Sequence, residues 1–267
     1  MGVPFAEVIG DPIGHSKSPA MHRHWLDRLG IKGDYRALRV PAGETRAYFA
    51  ERRANPDWRG CNVTAPLKIE VMAHLSALGP DARSIGAVNT IVHQGEGELL
   101  GINTDAHGAL LALARVRAEH AVLIGAGGAA RAALFALKVL QVPQVTVLNR
   151  DMHRARAALD DLEVEGRVLP LGTAPAADLL VNASTLGMGG NPPVPFDLSA
   201  LPPTAVVFDM VYAPVETDLL ARARARGLAT IDGLTMLAEQ GAMAFAAFFE
   251  GGPDRADTPE LRELLSR

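Results

Sequence analysis

Residues 121–140 read AVLIGAGGAARAALFALKVL, and this stretch decides the fold. The apolar run 121–124 predicts a buried strand, and the alanine-rich stretch beyond it predicts a helix. Between them Gly125, Gly127 and Ala130 match G-x-G-x-x-A. Each position then has a physical task. The first glycine permits a tight turn, the second lets backbone approach a pyrophosphate, and the third small residue permits close helix–sheet packing. The helix N-terminus supplies a positive end for the phosphates. A glycine run alone could serve an ordinary turn, but the strand before it and the helix after it favour a dinucleotide site.

Downstream, β-rich runs at VTVL, DLLVNA and AVVFDM alternate with helical stretches at 153–162 and 217–226. That is the βαβ rhythm of a parallel sheet covered on both faces. Residues 190–203, rich in Gly and Pro, predict a long loop. The end of VTVL bears on the cofactor. An NAD-binding chain places Asp or Glu roughly 20 residues after the glycine motif to hold the ribose 2′-hydroxyl. Here Asn149 and Arg150 stand at that strand end, with Arg154 and Arg156 close behind. A guanidinium offers a fork to phosphate oxygens, so NADP is expected over NAD. Asp151 cuts the other way, because a carboxylate there could repel a 2′-phosphate or hold a hydroxyl.

Upstream, Phe5, Val8 and Ile9 predict a first strand, followed by the turn-rich loop GDPIGHSKSP. Ser18 as N-cap and Pro19 at N1 predict a helix start, with Met21, Trp25 and Leu29 on its apolar face. YRALRV predicts a second strand, 43–54 a helix and 60–64 a third strand. A further helix is expected from Pro66 to about Gly79. VNTIV and LLGI predict a hairpin around GEGE, and a helix follows from about Ala106 to Val116. From about 236 the chain is expected to be helical again. The economical reading is an α/β protein of two domains with a cleft between them.

Bulk properties narrow the function. The chain has 267 residues, 48% hydrophobic and 21% charged, with net charge −4 and one cysteine. No long basic run supports a nucleic-acid partner. No apolar run reaches the length of a membrane span, and MGVPFAEVIG lacks a charged region ahead of an apolar core. Cys61 has no disulfide partner within the chain and suits a reducing compartment. A soluble cytoplasmic protein is expected.

The chemistry is expected in the other half. In GCNVTAPLK, residues 60–68, Lys68 falls in the first turn of the helix expected after Pro66, where the macrodipole disfavours a cation. In GINTDAHG, residues 101–108, Asp105 falls where a strand hands over to a helix, a favourable place for a carboxylate. Such a pair suits general acid/base work at an oxygen that alternates between carbonyl and hydroxyl. Taken singly, Asp105 reads as an N-cap and Lys68 as a surface lysine with a packed stem. Ser16, Ser18, Asn62, Thr64 and Asn89 also sit at element ends. Their hydroxyls and amides suit a small polyhydroxylated ligand, the serines meeting a ligand carboxylate, although each could equally be a turn or cap residue. His15 has no Cys or His companions at ligand spacing, so no metal site is expected.

The motifs GHSKSPAMH, NVTAPLK, GAVNT, GINTDAHG, GAGGAARA, NRDMHR, NASTLGM, DMVYAPVET and DGLTMLAEQ resemble, in order, those of the shikimate dehydrogenases. The resemblance runs from about residue 10 to 241. It implies NADP-dependent, reversible reduction of 3-dehydroshikimate to shikimate in aromatic amino-acid biosynthesis. It also implies that Lys68 and Asp105 are the catalytic pair. Ser16, Ser18, Thr64, Asn89 and Gln240 would bind substrate, with Asn62 and Tyr212 nearby. Gly125, Ala126, Gly127, Gly128, Ala129, Asn149, Arg150, Arg154, Met210 and Gly233 would line the cofactor site. The implied fold is a substrate domain over 1–104, an inserted Rossmann-type NADP domain over 105–235, and helices over 236–267 returning to the first domain. Arg23 stands where the family usually has Asn, and Asp151 where a small hydroxyl residue is usual. Asp151 keeps a quinate/shikimate dehydrogenase with relaxed cofactor use in view. A non-catalytic metabolite-binding homologue is the other alternative, but it would not need Lys68, Asp105 and the glycine loop together. A homodimer is left open.

Overall fold

Among the described residues, two sheets of six strands each organise the protein. The computed structural model describes residues 2–254 and 256–266. The chain divides into two units, Met1–Thr104 with Ala238–Arg267, and Asp105–Leu237.

In the first unit, β1 (Phe5–Gly10) is buried along its whole length. It lies between β2 (Asp34–Arg39) and β3 (Trp58–Val63), both parallel to it. Beyond β3 come β5 (Thr90–His93) and β6 (Leu99–Ile102), an antiparallel hairpin closed by the Gln94 N–H donating to the Glu98 carbonyl. The two-residue strand β4 (Ala77–Leu78) pairs in parallel with β6 at the sheet edge. Trp58, Phe49, Leu67, Val71 and Ile91 fill the core on one side of this sheet. Helices α1 (Ser18–Leu29) and α2 (Thr45–Arg53) belong to this unit.

Two expectations are corrected here. Lys17, not Ser18, is the N-cap of α1; the Ser18 N–H is instead held by Ser16 Oγ at 3.3 Å. No α-helix follows Pro66. The Ala65–Pro66 peptide is cis, residues 65–69 form turns, and a short 3₁₀ segment covers Glu70–His74, before β4 and the six-residue α3 (Pro80–Ile85). The physical reason is a competing hydrogen bond. The Lys68 carbonyl, which an α-helix would offer to Met72, accepts from the Val88 N–H at 2.8 Å, and Met72 N–H turns to Ile69 instead. Lys68 therefore lies in a turn and not in the first turn of an α-helix. The stretch after 236 forms two helices, α8 (Gly233–Phe249) and α9 (Pro259–Ser266), separated by a segment containing Gly251, Gly252 and Pro253.

The second unit is a wholly parallel sheet of β7 (His120–Ile124), β8 (Gln144–Asn149), β9 (Gly166–Pro170), β10 (Leu179–Asn182), β11 (Val206–Asp209) and β12 (Ala229–Ile231). The spatial order is β12-β11-β10-β7-β8-β9. Renumbered within the unit, this is the 3-2-1-4-5-6 order of a doubly wound dinucleotide fold, with its switch point between β7 and β10. Helices α5 (Gly128–Val139), α6 (Met152–Asp161) and α7 (Asp218–Ala225) follow β7, β8 and β11, and α4 (Thr104–Leu113) leads in. Val122, Ile124, Leu148, Leu180 and Val207 share one core with Leu219 and Leu220 of α7. Among the described residues, no helix is long and apolar enough to cross a membrane.

Candidate active site

The glycine-rich loop is shaped by what surrounds it. Gly125 has φ +120°, and a Cβ there would lie 2.8 Å from the Ala183 carbonyl oxygen, so only glycine fits. Gly127 caps α5 without any side chain, and the first turn of α5 carries no acidic residue. The loop thus offers open backbone N–H groups at a helix N-terminus, as a pyrophosphate requires.

At the end of β8, Asp151 has a structural task. Its carboxylate caps α6, accepting from the Arg154 N–H at 3.0 Å, while its own N–H is held by Asn149 Oδ1 at 3.1 Å. Asp, Ser and Thr are all good N-caps, so the aspartate does here what a small hydroxyl residue would do. Arg154 Nε donates to the Ala126 carbonyl at 3.1 Å, which tethers its guanidinium to the glycine loop. Arg150 is exposed at the strand end. Met210 and Tyr212 are half-buried just beyond β11. Gly233 opens α8 under the carbonyls of Met210 and Val211, where a Cβ would lie 2.7 and 2.6 Å from their oxygens.

In the first unit, a buried polar network gathers three of the predicted residues. Asn62 on β3 accepts from the Tyr35 hydroxyl at 2.5 Å and donates to Thr90 Oγ1 at 2.9 Å and to the Asn89 carbonyl at 3.3 Å. Asn89 Nδ2 donates to Thr104 Oγ1 at 2.9 Å and to Gln240 Oε1 at 3.3 Å, while its Oδ1 accepts from the Thr104 N–H at 2.6 Å. Asn62, Asn89 and Gln240 are all buried, so these bonds fix which way each amide faces. Thr90, Thr104 and Tyr35 were not singled out from sequence. Thr90 and Thr104 stand inside GAVNT and GINTDAHG, and that was the available signal; Tyr35 carried none.

Behind Tyr35, His22 is fully buried and stacks on its ring at 3.9 Å. Neither His22 ring nitrogen meets a hydrogen-bond partner among the described residues, and burial pushes its pKa down to about 3. Ser18 is buried and Ser16 half-buried at the start of α1. Thr64 and Lys68 are half-buried on the segment after β3, where the Thr64 N–H is held by the Ile9 carbonyl. Asp105 is buried in the first turn of α4. Lys68 belongs to the first unit and Asp105 opens the second. Among the described residues, no cluster of three or more His, Cys, Asp or Glu side chains could hold a metal ion.

A doubly wound parallel sheet with an open glycine loop at its switch point, and arginines at the end of its second strand, defines a protein of the dinucleotide-dependent dehydrogenase class. Known proteins narrow this. The family model for the shikimate dehydrogenase substrate binding domain matches residues 8–91. An NADP(+) shikimate dehydrogenase of Sphingopyxis alaskensis is 52% identical over 265 residues, covering 98% of this chain and 97% of that protein. The crystal structure of shikimate 5-dehydrogenase from Thermus thermophilus, in complex with NADP(H) and shikimate, is 38% identical with a TM-score of 0.85 and covers 98% of both chains. A quinate dehydrogenase from Corynebacterium glutamicum in complex with NAD is 29% identical with a TM-score of 0.87, again covering 98% of both. The chain belongs to the shikimate dehydrogenase family.

Proposed function

We propose that this chain catalyses the reversible, NADPH-dependent reduction of 3-dehydroshikimate to shikimate in aromatic amino-acid biosynthesis, working in the cytoplasm. The observation that carries the reading is the match, nearly end to end, to the NADP(+) enzyme of Sphingopyxis alaskensis at 52% identity. The capped Asp151 supports the choice of cofactor, since its carboxylate is engaged by the helix it starts and leaves Arg150 and Arg154 to meet a 2′-phosphate.

In this reading the first unit, completed by the C-terminal helices, holds the substrate and the second holds the cofactor. Gly125 to Ala129 cradle the pyrophosphate, with Asn149, Arg150 and Arg154 around the 2′-phosphate. Met210 and Gly233 border the nicotinamide. Ser16 and Ser18 meet the substrate carboxylate, while Asn62, Thr64, Asn89, Tyr212 and Gln240 hold its ring hydroxyls. The preset amides of Asn62 and Asn89 favour one ring orientation, because reversing Asn62 would set its oxygen against the Asn89 carbonyl and reversing Asn89 would set its N–H₂ against the Thr104 N–H. NADPH, when bound, supplies the hydride that reaches the ketone carbon. Lys68 then gives a proton to the oxygen that becomes the alcohol, and takes it back in the reverse direction. Asp105 orients Lys68 for that transfer.

Steady-state turnover of shikimate and quinate, each with NADP⁺ and with NAD⁺, tests the proposal. A charged hydrogen bond to the 2′-phosphate is worth about 1.5–3 kcal/mol, so kcat/KM with NADP⁺ should exceed that with NAD⁺ by at least about tenfold. Shikimate should be the preferred substrate. Comparable rates with quinate and NAD⁺ would replace the proposal with a broader dehydrogenase. Shikimate binding without any change in nicotinamide absorbance would replace it with a metabolite-binding regulator.

A further inference from the structure

One buried carboxylate organises the loops after β10 and β11. Asp209, the last residue of β11, is fully buried. Its Oδ1 accepts from Asn182 Nδ2 at 2.9 Å and from the Val211 N–H at 3.0 Å, and its Oδ2 accepts from Thr217 Oγ1 at 2.6 Å. Asn182, the last residue of β10, is fully buried as well. It also donates to the Leu186 carbonyl at 3.0 Å and accepts from the Ser184 N–H and hydroxyl at 3.1 and 2.7 Å. The Met210 N–H donates to the Asn182 carbonyl at 2.9 Å. Segments 182–186 and 209–211 and residue 217 are thus tied together by two linked side chains, Asp209 and Asn182. Burial raises the Asp209 carboxyl above the usual range, while its three donors pull it back down. A group that costs free energy to bury calls for a reason, and the converging donors supply one. A carboxylate accepts on both oxygens and donates from neither, whereas an amide would keep one acceptor for Asn182 and Val211 and would need the Thr217 hydroxyl to reverse and accept from its N–H₂.

The strand order says what these loops face. A dinucleotide at the switch point lies across β7, with its adenosine half on the side of β8, where Asn149 and Arg150 stand. Its nicotinamide half then falls over the ends of β10 and β11. The loops there meet the rest of the site closely: Gly125 abuts the Ala183 carbonyl, and Gly233 abuts those of Met210 and Val211. We propose that Asp209, acting with Asn182 and Thr217, is a positioning residue for the nicotinamide half of the cofactor. It fixes the two loops on which that half rests and does not touch the adenosine half. The proposal rests on the reading of this unit as an NADP site.

The test uses the full chain and two probes, NADP⁺ and adenosine 2′,5′-bisphosphate, which carries the 2′-phosphate and no nicotinamide. Asp209→Asn removes the charge and makes the Thr217 hydroxyl reverse from donor to acceptor, and the expected result is a rise in the Kd of NADP⁺ of about tenfold. The Kd of the bisphosphate should stay near that of the unaltered protein. In the same variant kcat should fall while the shikimate KM is little changed. Thr217→Val removes one donor and the cap on the Leu220 N–H, keeps the carboxylate, and should produce a smaller shift in the same direction; Thr217→Ser, which keeps both bonds, should restore it. These two variants carry the test where Asp209→Asn does not fold. Equal weakening of both probes would overturn the proposal, since Asp209 would then hold the unit together in general. Unchanged NADP⁺ binding and kcat would also overturn it. Failure of the unaltered protein to bind the bisphosphate would instead remove the NADP reading beneath it, and the proposal with it.

Discussion

Replacing Arg150 and Arg154 by alanine, one at a time, separates two ways of reading a 2′-phosphate. In the proposed site both guanidiniums meet it, but they are held differently. Arg154 is tethered through Nε to the Ala126 carbonyl and leaves its two terminal nitrogens to form a fork, whereas Arg150 is exposed at the strand end. A tethered guanidinium loses less side-chain entropy when it engages phosphate. Losing a charged hydrogen bond costs about 1.5–3 kcal/mol, and each 1.4 kcal/mol is about tenfold in Kd. Arg150→Ala therefore belongs at the lower end, about tenfold for NADP⁺ with no change for NAD⁺. Arg154→Ala belongs at the upper end, approaching about a hundredfold for NADP⁺. It should also weaken NAD⁺ by a few fold, because the Ala126 carbonyl loses its partner. Calorimetric titration of both cofactors at two salt concentrations measures this, and the salt dependence of NADP⁺ binding should fall in each variant. Equal losses for NADP⁺ and NAD⁺ in the Arg150 variant would refute the reasoning, for that arginine would then not be reading the phosphate.

Other expectations concern the first unit. In His22 the folded pKa of about 3 lies below the ordinary 6.5, so the unfolded chain takes up a proton that the fold refuses. Stability is complete above that ordinary value and falls as pH drops toward the folded one, by up to about 1.4 kcal/mol per unit. His22→Phe keeps the stack on Tyr35 and should flatten the acid side of a Tm–pH curve; an unchanged slope would assign it to other groups. Arg52 makes a two-pronged bond to buried Glu7, at 2.7 and 3.1 Å, and Tyr48 adds a third at 2.9 Å. Arg52→Ala should cost about 3 kcal/mol in urea unfolding by leaving that carboxylate buried without its cation, and a much smaller loss would mean water reaches Glu7. Tyr35→Phe leaves Asn62 Oδ1 without its phenol donor, at a cost of about 1–3 kcal/mol. It should raise the KM for shikimate and leave that for NADP⁺ unchanged, and the reverse pattern would detach Asn62 from the substrate.

What was legible in the sequence was local. The second unit announced itself because parallel strands buried on both faces appear as short apolar runs, and because the glycine loop needs particular residues at fixed offsets. Its strands β9 and β12 escaped notice because both are only partly buried edge strands without an apolar run. The helix expected after Pro66 failed for a non-local reason, the bond from Val88 to the Lys68 carbonyl, which no window around residue 68 contains. Tyr35 joins the polar network because sheet order sets its strand and that of Asn62 on either side of β1, a fact of topology. From sequence Asp151 could repel a 2′-phosphate or hold a ribose hydroxyl, and its place as the N-cap of α6 shows only in the hydrogen bond from the Arg154 N–H.

The central chemical claim is that Lys68 delivers the proton to the reduced ketone, and the kcat of Lys68→Ala with shikimate and NADP⁺ tests it most directly. The account predicts a fall of about 10²–10⁴ in kcat, with a far smaller change in the shikimate KM and a folded protein. A near-normal kcat with a raised KM would contradict it, because the lysine would then bind the substrate without taking part in the reaction.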